Sequence, residues 1–160
     1  MRVEFEKLSP TARVWVYQNE GKIADEKLQE LRRDLDDFVS EWSAHQQPLA
    51  AFGQILHDRF LVLMVDEHLN AASGCSIDSS VNFIRSIEKK YGLSLFDRFT
   101  FSYQKDGKVF TVPKSRFAEL FQSGEIDEST MVFDNLIRTK ADLERAWLKP
   151  LGKSWHRRFV

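Results

Sequence analysis

Cysteine is almost absent from this sequence, and that scarcity limits both its chemistry and its location. A single thiol, Cys75, occurs in 160 residues, so no disulfide can form within the chain. Proteins without disulfides are typical of reducing compartments, and we therefore expect a cytoplasmic protein. Glycine and proline are also scarce, with 7 and 4 residues, and no low-complexity tract or long linker separates the chain into parts.

Excess charge and long apolar runs are missing as well. The net charge of −1 provides no overall field to attract an anionic partner, so we expect no nucleic-acid partner. No apolar run approaches the roughly 20 residues that span a bilayer, and the first residues lack the apolar core of a signal peptide. The hydrophobic content of 42% instead fits a globular domain with its own core.

The first part of the chain, residues 1–98, predicts an α+β sandwich layer. Apolar and β-branched runs predict strands over 14–17, 49–56 and 60–65. Apolar residues spaced by three and four predict a helix from Asp25, as its N-cap, to about Ala44. A second helix is expected from Ser76, as its N-cap, to Gly92. The order βαββα indicates a two-layer sandwich, which becomes a ferredoxin-like plait if a fourth strand joins the sheet.

The second part, residues 99–150, predicts a smaller unit packed on that layer. Asp106-Gly107 between two alternating runs is a strong hairpin signal. A short helix between Pro113 and Gly124, a strand over 130–133 and a helix over 139–147 follow. The tail, residues 151–160, mixes aromatic and basic side chains, which suit either anchoring onto the core or recognition of a partner.

The run from Leu61 to Glu67 has the form of a Walker B strand, an apolar strand that ends in acidic residues. Nucleotide hydrolysis by such proteins also requires a glycine-rich phosphate loop ahead of a helix. The one Gly-Lys-Ser triplet, Gly152-Lys153-Ser154, has Trp147 where the loop needs its first glycine, and no room for a helix after it. We therefore do not expect P-loop ATPase activity.

The segment 66–78 carries the densest group of chemically active residues. A buried strand ends in acidic residues, and a small-residue loop then leads into a helix N-terminus, whose N–H groups can act as donors. We expect a non-catalytic protein that binds a small molecule or a protein partner in a polar pocket here, without a cofactor. The predicted ligand-binding residues are Asp66, Glu67, Ser73, Ser76 and Asp78.

An alternative is an enzyme of the hydrolase or acyltransferase type. Cys75 lies close to the predicted helix N-terminus, where partial positive charge favours a thiolate. A nucleophilic cysteine needs a general base, and His45 or His156 could supply it if the fold brings them near. The competing interpretation is that Cys75 is a small packing residue.

A metal site is a third interpretation of the same segment. Asp66, Glu67, His68, Cys75 and Asp78 are all of ligating types. Adjacent strand residues point to opposite faces, however, and the spacing matches no zinc pattern. We therefore expect no metal site.

The chain resembles a family of short bacterial proteins of about this length that carry the label "ABC transporter ATPase". The resemblance covers most of the chain and rests on strings such as Trp42-Ser-Ala-His45, Val65-Asp66-Glu67, Ala72 to Asp78 and Gly152 to His156. It implies a bacterial origin, and it carries no catalytic residues across to this chain.

Overall fold

The computed structural model describes all residues from Met1 to Val160, and its architecture is α+β. The strands are β1 (Arg13–Gln18), β2 (Ser43–Ala44), β3 (Gln47–Pro48), β4 (Ala50–Leu56), β5 (Phe60–Asp66), β6 (Thr100–Lys105), β7 (Lys108–Pro113), β8 (Met131–Phe133) and β9 (Leu148–Pro150). The helices are α1 (Asp25–Glu41), α2 (Gly74–Tyr91), α3 (Lys114–Gln122) and α4 (Lys140–Arg145), with short 3-10 helices at Phe5–Lys7, Leu151–Lys153 and Trp155–Phe159.

The first sheet is antiparallel and has the order β1-β5-β4. Its central strand β5 is buried from Phe60 to Val65 because both of its faces are covered. Leu61, Leu63 and Val65 belong to the helix-side core, whereas alternate residues face the second half of the chain. The apolar stripe of α1 packs into the helix-side core, so the predicted strand and its neighbouring helix are confirmed.

The ends of the two long helices differ from the predicted ones. Asp25 is the first residue of α1 and not its cap; Ala24 holds the cap position without a side-chain hydrogen bond. The helix ends at Glu41, before Ala44, because β2 and β3 form a small hairpin there. In α2 the cap is Ser73 and not Ser76, whereas Gly92 ends the helix in a left-handed conformation, as predicted.

A ferredoxin-like plait does not form. The order β1-β5-β4 is that of the first three strands of such a plait, but no fourth strand pairs with the outer edge of β1. The segment 138–140 covers only one end of that edge, where the Val14 N–H donates to the Arg138 carbonyl (2.9 Å). The chain after α2 enters a different sheet, so the edge of β1 from Val16 to Gln18 has no strand partner.

The second sheet has the order β7-β6-β8-β9. Its hairpin turns at Asp106-Gly107, both with positive φ (52° and 74°), as a type I′ turn requires. Thr139 caps α4 as predicted, but the helix ends at Arg145 because the chain extends into β9. That three-residue strand was not predicted, since a short run ending in Pro150 carries little strand signal.

The two parts of the chain share one core. Leu8, Phe60 and Met64 from the first part belong to the same apolar cluster as Phe133 and Trp147 of the second. The tail is anchored in a further cluster, where Leu151 is fully buried. None of the helices combines the length and the apolar character needed to cross a membrane.

Candidate functional site

The two acidic residues at the end of β5 are engaged in local structure. Asp66 accepts hydrogen bonds from the Ser9 N–H (2.7 Å) and the His68 N–H (3.1 Å), and its carboxylate lies 2.7 Å from the His68 ring. Burial opposes ionisation of Asp66, but these hydrogen bonds outweigh it and hold its pKa below the ordinary value. Glu67 accepts from the Ala72 N–H (2.9 Å), so both acids stabilise the loops around them.

The serines ahead of α2 also satisfy each other. Ser73 Oγ accepts from the Ser76 N–H (3.1 Å), and the Ser73 N–H donates to Ser76 Oγ (2.7 Å), which is a reciprocal capping box. Asp78 lies exposed in the same helix and makes no hydrogen bond or ion pair. The predicted ligand-binding residues are thus near each other in the chain, but most of their polar atoms are already bonded.

The structure does not bring Cys75 together with the two histidines. Cys75 is exposed in the first turn of α2, and its sulfur makes no hydrogen bond. His45 is exposed in the turn between β2 and β3. His156 is buried in the second part of the chain, where its Nδ1 atom lies 2.6 Å from Ser154 Oγ. Cysteine-dependent catalysis stays a prediction that this arrangement does not favour.

The side chains of the segment 66–78 do not form a metal site. His68 pairs with Asp66, whereas Glu67 accepts from the Ala72 N–H and Cys75 is exposed without a hydrogen bond. In the whole chain, no three histidine, cysteine or acidic side chains lie close enough together to hold a metal ion.

A cleft of about 480 Å³ lies elsewhere, at the open edge of β1. Val16, Tyr17 and Gln18 of β1 line it together with the loop after α2, the start of β6 and the C-terminal tail. The lining is mainly apolar and aromatic; it comprises Leu95, Phe96, Phe99, Phe101, Phe133, Leu136, Trp155 and Phe159 besides the polar groups described below. Of the residues predicted as functional, only His156 lines this cleft.

Gln18 is the polar centre of the cleft wall. Its side-chain amide donates to the Thr100 carbonyl (3.0 Å) and to Thr100 Oγ1 (3.1 Å). Its side-chain carbonyl accepts from Ser102 Oγ and from the Asn135 amide, both at 2.8 Å. This buried network holds β1, β6 and the loop after β8 in one arrangement, and it keeps the cleft preformed.

His156 forms part of the cleft wall as a neutral side chain. Its ring stacks on Trp155, with ring centres 3.8 Å apart and planes at 18°. Burial lowers the pKa of His156 to about 4, with opposing smaller effects from the charges of Asp134 and Lys149. Its Nε2 atom has no hydrogen-bond partner in the chain, and the residue is among those that line the cleft.

The rim of the cleft is apolar and carries a positive charge. Phe99 and Leu136 are the most exposed large apolar side chains of the molecule, at 73% and 68%. Arg98 and Lys114 line the cleft together with a single acid, Asp97, whose carboxylate accepts from the Phe99 N–H (2.8 Å). An apolar ligand with a negative group therefore fits the rim best.

Sequence reasoning missed this cleft because its residues are far apart along the chain. Gln18 directly follows the predicted strand 14–17, Phe99 begins an alternating run of the predicted hairpin, and Leu136 is an apolar residue in a predicted loop. No local pattern connects these positions, and a single apolar residue in a loop such as Leu136 is only a weak signal of a binding surface.

Comparison with protein-family models, with curated proteins and with solved structures finds no match to this chain. The resemblance to the bacterial family described above therefore stays a prediction.

Proposed function

We propose that this chain is a non-catalytic binding protein whose ligand or protein partner occupies the cleft at the open edge of β1. The binding role expected from the sequence is kept, but we assign it to the cleft and not to the segment 66–78. The observation that carries the proposal is a preformed, mainly apolar cleft with two exposed apolar side chains, Phe99 and Leu136, at its rim.

Three features support binding over catalysis. The polar groups in the wall are mostly amides and hydroxyls that are bonded to one another, as in the Gln18 network. The one titratable side chain buried there, His156, has no acid or nucleophile as partner other than the Ser154 hydroxyl. The exposed free thiol of Cys75 lies outside the cleft and supports a reducing, cytoplasmic location.

An anionic apolar dye tests the proposal. We expect 1-anilinonaphthalene-8-sulfonate to bind with a rise in fluorescence, because its rings suit the lining and its sulfonate suits Arg98 and Lys114. The rim variant, which carries both Phe99→Ser and Leu136→Ser, should bind the dye about tenfold more weakly, since each of the two side chains buries apolar area against the ligand. The titration is followed by fluorescence at constant protein concentration.

Leu69→Ser is the matched control, because Leu69 is also an exposed apolar residue (56%) but does not line the cleft. It should leave the dye affinity unchanged. Equal weakening by the rim variant and by the control would mean that the dye binds without using the cleft, and would contradict the proposal.

A further inference from the structure

We propose that the partner is an extended peptide segment that adds to the first sheet as a strand along β1, from Val16 to Gln18. This inference rests on the proposed function, and it specifies what kind of ligand the cleft takes. It comes from the direction of the backbone groups of β1 and from the shape and charge of the cleft.

The backbone of β1 offers unpaired hydrogen-bonding groups to the cleft. The Val14 N–H donates to Arg138 on the side away from β5, and the Ala12 carbonyl accepts from Lys140 on that same side. N–H and C=O directions alternate along a strand, so those of Val16 and Gln18 also point away from β5. No strand pairs with them, although both residues line the cleft.

The chain itself supplies only a short piece of the fourth strand. Residues 138–140 run antiparallel beside the start of β1, with Thr139 opposite Arg13. The turn at Asp134–Ile137 precedes this segment and keeps the chain away from Val16 and Gln18, and Leu136 of that turn is exposed. A peptide of about three residues, roughly 10 Å long, fills the remaining edge and completes a four-stranded sheet.

The walls of the cleft determine which types of side chain the peptide should carry. On one side lie Leu95 and Phe96 of the helix-side core, and on the other lie Phe101, Phe133 and Trp155. Side chains of an added strand point alternately to these two apolar walls, so the middle of the peptide is apolar at each position. Arg98 and Lys114 at the mouth favour an acidic residue beside the apolar run.

A second copy of this chain is a poorer occupant. The edge of β1 lies below the rim, with Gln18 only 8% exposed while Phe99 and Leu136 project outward. Two edges recessed in this way cannot approach to the roughly 4.8 Å that strand pairing needs. A flexible peptide enters the cleft without this obstacle.

Selection from a phage-displayed library of random twelve-residue peptides tests the inference. We expect convergence on peptides with three or more consecutive apolar residues beside an acidic one. The selected peptide is then titrated against wild type and Val16→Pro. Proline removes the N–H that points to the cleft, which bonds to no strand of the protein, and proline is tolerated at a strand edge, so affinity should fall about tenfold while the fold persists.

Backbone N-methylation of the selected peptide provides a second measurement that needs no protein variant. Two methylated peptides are compared, one methylated at the odd positions of the apolar run and one at the even positions. One of these patterns should abolish binding and the other should be tolerated, because only alternate amides of an added strand face β1. Leu69→Ser again serves as the control protein variant, and it should bind the selected peptide with unchanged affinity.

Three results would overturn the inference: no convergence in the selection, binding that neither Val16→Pro nor either methylation pattern weakens, or a dimer in sedimentation that Val16→Pro converts to monomer. If the dye still binds through Phe99 and Leu136 in those cases, the cleft remains a binding site and only the strand addition is wrong. If the wild-type protein binds neither the dye nor any peptide, the proposed function itself is wrong.

Discussion

At the scale of single residues, two polar side chains hold the cleft open. Gln18 uses both ends of its amide to connect β1 with β6 and with Asn135. Asn135 in turn accepts from the Trp147 indole N–H (2.8 Å). Buried polar groups that satisfy one another in this way specify one arrangement, because any alternative leaves a donor or acceptor unpaired.

His156 should make the stability of the protein depend on pH. Its folded-state pKa of about 4 lies below its ordinary value of 6.5, so the unfolded chain binds a proton more readily. The stabilisation from the neutral ring is complete above pH 6.5 and is lost as the pH falls towards 4, by up to about 3 kcal/mol. Urea denaturation at a series of pH values measures this loss.

His156→Gln removes the titrating group and keeps a polar side chain. We expect its stability to change less between pH 6.5 and 4 than that of wild type. Some change should remain, because burial also lowers the pKa of His57. The same pH dependence in both proteins would contradict the buried, neutral assignment of His156.

At the scale of elements, the residues at 66–78 serve the helix that follows them. Acids and serines that suggested a ligand pocket instead bond to loop and helix N–H groups. The same donors that make a helix N-terminus suitable for a ligand also make it suitable for a cap, and here the chain supplies the caps itself.

Ser73→Ala should therefore destabilise the protein by about 1 kcal/mol, because it removes the hydroxyl that accepts from the Ser76 N–H. Thermal and urea unfolding measure the change. Ser79→Ala is the matched control, since Ser79 is exposed in the same helix and its hydroxyl makes no hydrogen bond. If both variants lose equal stability, the capping box is not the source of the effect.

At the scale of the whole molecule, one apolar cluster joins the two parts of the chain. Phe133 of β8 lies against Phe60 of β5 and against Trp147, with ring centres 4.9 and 4.8 Å apart. Both parts line the cleft as well, so its shape depends on this contact. The protein should unfold as a single cooperative unit.

Phe133→Ala should lower the free energy of unfolding by about 3–5 kcal/mol, because it leaves a cavity in a fully buried position. Unfolding followed by far-UV circular dichroism and by tryptophan fluorescence should still coincide. Phe110→Ala is the control, since Phe110 is 39% exposed on β7 and should cost much less. Separate transitions for the two probes would show that the parts are independent domains.

Elements whose signals are local were predictable from the sequence. The apolar stripe of α1, the buried run of β5, the Asp106-Gly107 turn and the Thr139 cap depend on residues within a few positions of one another. The helix caps near Asp25 and Ser76 were placed wrongly, because several good capping residues stand close together and tertiary packing selects among them.

The sequence by itself therefore determined the long helices and strands, the α+β class and the burial of β5, since periodicity and turn residues act over short distances. Only the tertiary structure decided that β6 joins a second sheet and leaves the edge of β1 without a partner. It also decided where the cleft lies, because Gln18, Thr100, Asn135 and His156 meet through contacts that span most of the chain. Side chains so distant in sequence carry no shared pattern, and the packing of the two sheets brings them together.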